Sequence, residues 1–223
     1  MFLLGRSAVE DFFEIWVLGG NGYGFGAMKI LRTLFEKVAT AGYLCNHPNE
    51  IQAFHDYGIV QYFKIIQRLK RTAEFASLIP ADSFSYLEPI HEKVKASFQE
   101  KKCSECGRGN SPSWTKLDMY SLSQKAGYQL DEHAALVYAM SNLVIHATSV
   151  DMAERKIPNG DGTFRFNNNE QEAFVDRALS AGVVLFITNM LIQDKYFGLQ
   201  MEQPIALLFK SVAESFEIAP TNP

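Results

Sequence analysis

The chain reads as an all-α protein, and three observations carry that reading. Apolar residues recur at three- and four-residue spacing over long stretches. Glycine and proline fall at helix-length intervals, and no run of strand length alternates polar with apolar residues. The expected architecture is a single all-helical domain over 1–223, a bundle of about seven or eight helices. Its long antiparallel helices should pack around a central helix near 132–150. Segments 101–114 and 151–168 are expected as inserted loops, and 218–223 as a flexible tail.

Taken in order, Ser7-Ala-Val-Glu10 has the form of a capping box, so a first helix should start there and stop at Gly19-Gly20. Gly22 to Gly26 is glycine-rich, but no strand precedes it and the spacing fits no nucleotide fingerprint. It is read as a turn. A helix over 23–45 follows, with Ile30, Leu31, Leu34, Val38 and Ala41 on its apolar face. Arg32 and Glu36 stand one turn apart on another face, which the local pattern places in solvent. Pro48 should open a helix running to about 77. Its last third holds Lys64, Arg68, Lys70 and Arg71, cations that complement a helix C-terminus or contact phosphate.

Ser85 to Pro89 is expected to start a shorter helix to about 100. Cys103-x-x-Cys106 has the spacing of a zinc knuckle, but no second pair completes four ligands. Two reduced thiols in a loop are expected, with no metal and no cofactor. Beyond Trp114, Thr115 to Asp118 starts a short helix ending at Gly127, and Asp131 should cap the central helix. Residues 151–167 form a loop or small hairpin around Asn159-Gly-Asp-Gly162, without calcium-loop spacing. A long helix to about 193 and a last one after Pro204 complete the chain.

Composition narrows the function classes. A formal charge of −4 and a pI near 5.8 argue against a general nucleic-acid coat protein, while leaving room for a local basic patch. Three cysteines, an odd number, suit a reducing cytoplasm. The N-terminus meets acids too early for a signal peptide. No apolar run reaches the 18 or so residues of a membrane span, so no membrane partner is expected. The nearest, AGVVLFITNMLI at 181–192, suits a core helix or an interface. A homodimer or partner-protein contact is therefore expected through 178–192.

The candidate site lies on the central helix. At about 100° per residue, Tyr138, Asn142, His146 and Ser149 fall within about 80° of one another, with Ser141 beside them. A polar seam on an apolar helix is either a satisfied core network or a site. His146 is the side chain best matched to proton transfer near neutral pH.

Two motifs carry a resemblance. One is Gly24-x-Gly-Ala-x-Lys-Ile-Leu-Arg32-Thr-Leu-Phe-Glu36; the other is Trp114, Ala126-Gly127 and Tyr138-x-x-Ser141-x-x-x-x-His146. From about residue 7 to 195 the chain resembles the bacterial domain-of-unknown-function family 5677. That likeness implies a fold and candidate positions rather than a reaction, and it implies that Arg32 and Glu36 face Tyr138 and His146. More remotely, the bundle is similar to the HEPN ribonucleases, whose mark is an arginine four to six residues before a histidine on one helix. Here Ser141 stands where that pattern has arginine, so the guanidinium would come from Arg32.

The resemblance implies a metal-independent ribonuclease of a defence or toxin-type system. His146, Arg32, Glu36 and Tyr138 would be catalytic. Ser141, Asn142 and Trp114 would hold RNA or a small phosphate-containing ligand. The other expectation is a non-catalytic interaction or small-ligand sensor module, with the same cluster as a core network.

Overall fold

A computed structural model describes residues 1–77, 79–98, 113–145, 152–153, 155–166 and 172–215. Among the described residues the protein is an all-α bundle with one small hairpin. It forms two compact units, one made of Met1–Asn46 with Asp118–Pro223 and the other of His47–Leu117.

The first unit is built on α2 (Gly24–Asn46), against which α1 (Phe2–Gly20) packs. A three-residue turn joins the two helices, with Gly22 at φ 79°. Helix α1 begins at Phe2 rather than at Ser7, so the expected capping box is not a cap. The Ser7 hydroxyl instead accepts from Lys37 Nζ of α2 at 2.7 Å. Leu31, Leu34, Phe35 and Val38 of α2 are almost wholly buried with Ile15 of α1. At Gly42 a Cβ would come within 3.1 Å of Ala126 and 3.3 Å of Ile192, so the helices meet there because no side chain intervenes.

Short helices cover the other side of α2. After α3 (Ile51–Leu69), α4 (Ala73–Ala76) and α5 (Ala81–Val94) of the second unit, helix α6 (Met119–Ala126) is capped by Asp118, whose Oδ1 accepts from the Ser121 N–H at 2.7 Å. The chain then turns through three positive-φ residues, Gly127, Tyr128 and Gln129. Next comes α7 (Leu130–His133), in which Asp131 lies in the first turn instead of serving as the cap. A π turn over Ala134–Tyr138 separates it from α8 (Ala139–Ile145). The sequence pattern gave no sign of this turn, which places one residue more than the α repeat allows.

Of the loop or small hairpin expected here, the structure has a hairpin: β1 (Lys156–Pro158) pairs with β2 (Phe164–Phe166), Ile157 opposite Arg165. Helix α9 (Glu172–Phe197) packs on both α1 and α2. It is long and apolar enough to cross a membrane by length and composition. In the bundle it buries Leu185 and Ile192, and also Thr188, Asn189 and Asp194. Its polar groups are used there: Asn189 Nδ2 donates to the Gly5 carbonyl, and Asp194 Oδ1 accepts from the Met201 N–H at 2.9 Å. The latter bond leads into α10 (Glu202–Ser215), where Ile205 is buried against Val183 and Ile187.

In the second unit a 3₁₀ turn at Pro48–Glu50 leads into α3 (Ile51–Leu69). The helix expected to reach residue 77 ends at Leu69. Thr72 is extended (φ −106°, ψ 115°), and a single turn, α4 (Ala73–Ala76), follows. Helix α5 (Ala81–Val94) starts before Ser85 and carries Pro89 in its interior, where the ring removes one backbone bond and costs about 3 kcal/mol. Val60, Phe63 and Ile66 of α3 are buried, and Phe63 stacks on His91 of α5 at 3.9 Å between ring centres. Gly58 is exposed in mid-helix, and a Cβ added there would meet nothing within 4 Å. An alanine at this position would favour the helix by about 1 kcal/mol.

Candidate functional site

Arg32 is presented by the middle of α2, between the buried Leu31 and Leu34. Its side chain is 20% exposed and that of Glu36 is 36% exposed, so this pair is half-buried rather than on the open surface. A local pair at i,i+4 looks the same in sequence either way; what shields this one is a neighbouring helix.

That neighbour is the segment from the π turn into α8. Arg32 Nε donates to Glu36 Oε1 at 2.8 Å. Nη2 donates to the Tyr138 hydroxyl at 3.0 Å, and Nη1 donates to Asn142 Oδ1. The guanidinium carbon lies 4.5 Å from the Tyr138 ring centre, and Phe35 packs on the same ring at 6.3 Å. Burial alone would disfavour the charge. The Glu36 hydrogen bond and charge, with Tyr138, outweigh it and hold the Arg32 pKa above its ordinary value.

Four of the residues expected at the site therefore converge: Arg32, Glu36, Tyr138 and Asn142. Ser141, on the same helix, is fully buried, and its hydroxyl has no hydrogen-bond partner among the described residues. His146 and Ser149 lie outside the described residues, as do Cys103 and Cys106. Trp114 belongs to the second unit, where it packs edge-on against Phe54 at 5.2 Å.

A guanidinium has five N–H donors. Three of them are engaged here by two helices, and among the described residues two are uncommitted. The arrangement is a charged fork held in one orientation. It can bind an anion or stabilise charge forming on one.

A second polar cluster on α2 escaped the sequence reading. Lys37 Nζ reaches Asp11 at 2.7 Å as well as Ser7, and Asp11 is 8% exposed. The signal was the position of Asp11, on the same helical face as the apolar Ala8 and Ile15. This cluster ties α1 to α2 next to Glu36.

Neither curated proteins nor solved structures give a significant match to the chain. A family model described as a family of unknown function matches residues 1–163, a span that holds the whole Arg32 cluster and ends before α9. The likeness suggested by the two motifs is thus upheld over most of the length, and the chain belongs to the family of unknown function DUF5677.

Proposed function

We propose that this protein is a metal-independent, HEPN-like ribonuclease acting in the cytoplasm within a defence or toxin-type system. The observation that carries the reading is the Arg32 fork, fixed by Glu36, Tyr138 and Asn142 with two donors to spare among the described residues. Phosphodiester cleavage needs a group that neutralises charge growing on the non-bridging oxygens, and a preoriented guanidinium does that at little reorganisation cost.

His146 serves as general acid/base, its ordinary pKa near 6.5 letting it exchange protons at neutral pH. It removes the proton from the ribose 2′-hydroxyl, whose oxygen attacks phosphorus. The P–O5′ bond then breaks, and the leaving oxygen takes a proton back. Products are a 2′,3′-cyclic phosphate and a free 5′-hydroxyl. Glu36 keeps Arg32 oriented, while Tyr138 and Asn142 contact the substrate; Ser141, expected to do the same, is fully buried beneath them.

The test is cleavage of a labelled RNA in EDTA, with the product ends identified. Wild type should yield cyclic phosphate, and His146→Ala and Arg32→Ala should each lose about 100-fold or more in rate. A His146→Ala protein as active as wild type overturns the reading.

A second reading has one specific observation behind it. Phe12, Trp16, Phe186 and Leu208 line an apolar groove of about 220 Å³ between α1, α9 and α10. A non-catalytic module would use that groove for a homodimer, a partner protein or a small ligand, because much of 178–192 is already buried in the core. Ligand-dependent thermal stabilisation, with no RNA cleavage, would support it.

A further inference from the structure

We propose that the second unit carries a stacking cleft for single-stranded RNA, through which the substrate of the ribonuclease reading is held. The cleft has a volume of about 480 Å³ and a largely apolar lining, within the range of about 300–1,000 Å³ of small-ligand sites. Its walls are Phe54, Tyr57 and Tyr62 of α3, Leu87 of α5, and Trp114. Rings of this kind stack on any base face, so a site made of them tolerates sequence.

Gly58 lies between these walls, and a Cβ there would touch nothing. The glycine is therefore not required by packing within the unit, and it weakens the helix. What it provides is a bare stretch of helix under the cleft, against which a planar ring can lie. Gln61, at the rim, offers an amide donor and acceptor to a base edge.

Charge specifies the occupant further. From Tyr57 to Ala73 there are four cations, Lys64, Arg68, Lys70 and Arg71, and no acid. Among the described residues no salt bridge engages Lys64, Arg68 or Arg71. Phe54, Gly58, Gln61, Ile65 and Arg68 follow one helical stripe, and two turns of helix put Arg68 about 10 Å beyond Gln61. That is the reach of one to two nucleotides of backbone. Residues 47–117 hold ten Lys/Arg against eight Asp/Glu, whereas the remaining chain holds eleven against seventeen. The cleft thus lies in the net-positive unit of an acidic chain. Aromatic walls beside a cationic track fit a base joined to phosphates better than an apolar peptide or a neutral ring.

The test separates binding from cleavage. The probe is a ten-nucleotide 2′-O-methyl oligoadenylate, which has no 2′-hydroxyl to attack, measured by fluorescence anisotropy at low salt. An abasic oligonucleotide of the same length is the control. Wild type should prefer the base-bearing probe by about tenfold or more, in line with stacking on one or two bases. Trp114→Ala and Gly58→Phe should abolish that preference. The second variant fills the cleft without removing any contact, so it keeps the result readable if Trp114→Ala fails to fold. Arg68→Glu should weaken both probes and flatten the dependence on salt. Equal affinity for the two probes, or an unchanged preference in Gly58→Phe, overturns the cleft even if the protein cleaves RNA. A preference that the variants remove, in a protein that cleaves nothing, upholds the cleft and removes the catalytic reading.

Discussion

Arg32 and Tyr138, 106 residues apart in sequence, meet twice: Nη2 donates to the phenol oxygen at 3.0 Å, and the guanidinium carbon sits 4.5 Å from the ring centre. One side chain thereby supplies both a hydrogen-bond acceptor and a π face to the same cation. The fork of Arg32 is needed for this, and a lysine at the position keeps the charge while losing the geometry. Arg32→Ala should destabilise the protein by about 2 kcal/mol, since it strands the acceptors of Glu36, Tyr138 and Asn142 in a half-buried site. Arg32→Lys should recover part of that stability and none of the cleavage. Urea titrations alongside RNA cleavage check both. Full activity in Arg32→Lys would refute the orientation argument.

Lys37 and Asp11 link α1 to α2, and Asp11 is nearly enclosed. Removing the cation alone leaves a carboxylate with poor access to water, so Lys37→Met should cost about 2–3 kcal/mol. Lys37→Met combined with Asp11→Asn should cost clearly less than the two changes added together. A double-mutant cycle by chemical denaturation measures the difference. Strict additivity would mean that the pair contributes nothing.

Two glycines in helices should respond in opposite directions. Gly42 has Ala126 and Ile192 against it, so Gly42→Val overpacks the contact and should cost about 1–3 kcal/mol. Gly58 faces open space, so Gly58→Ala should stabilise its unit by about 0.5–1 kcal/mol. Midpoint denaturant concentrations at unchanged slope report each change. A stabilised Gly42→Val would show that α2 and α9 can separate at no cost.

Asp118 gives a dependence on pH. Its carboxylate accepts from the Ser121 backbone N–H and, with the Ser121 side chain, is held below the usual carboxylate range. A depressed pKa means that the stability it adds is fully present above the unfolded value and is lost as pH falls through the folded one. Asp118→Asn keeps a capping oxygen but has no charge to titrate. Its stability should therefore fall less steeply than that of wild type on the acid side, while differing little near neutrality. Parallel acid limbs for the two proteins would contradict the assignment.

The all-helical class and most helix bodies were legible because periodicity is a local property. The Arg32–Tyr138 contact was anticipated only through paired motifs, and the Arg32–Asn142 bond not at all, since no local rule says which faces meet. Ser7 shows the limit from the other side. Its spacing to Glu10 fits a cap, but its hydroxyl is committed to Lys37, thirty residues on, and the helix starts five residues earlier. Pro89 misled for a similar reason: packing of α3 on α5 tolerates a break that propensity would place at a helix start. Trp114 was expected to hold substrate, but beside the central helix; its place against Phe54 was invisible because the two rings are sixty residues apart in the chain.

The π turn at Ala134–Tyr138 takes up one residue more than an α turn, so α7 and α8 keep the phase of one continuous helix across it. Deleting one residue there, such as the exposed Leu136, would leave a plain α turn with Asn142 still facing Arg32. The same deletion at Met140, inside the regular repeat of α8, would rotate Asn142 by about 100° away from it. The turn is thus the place where this segment can change length by one residue and still present the same face to α2.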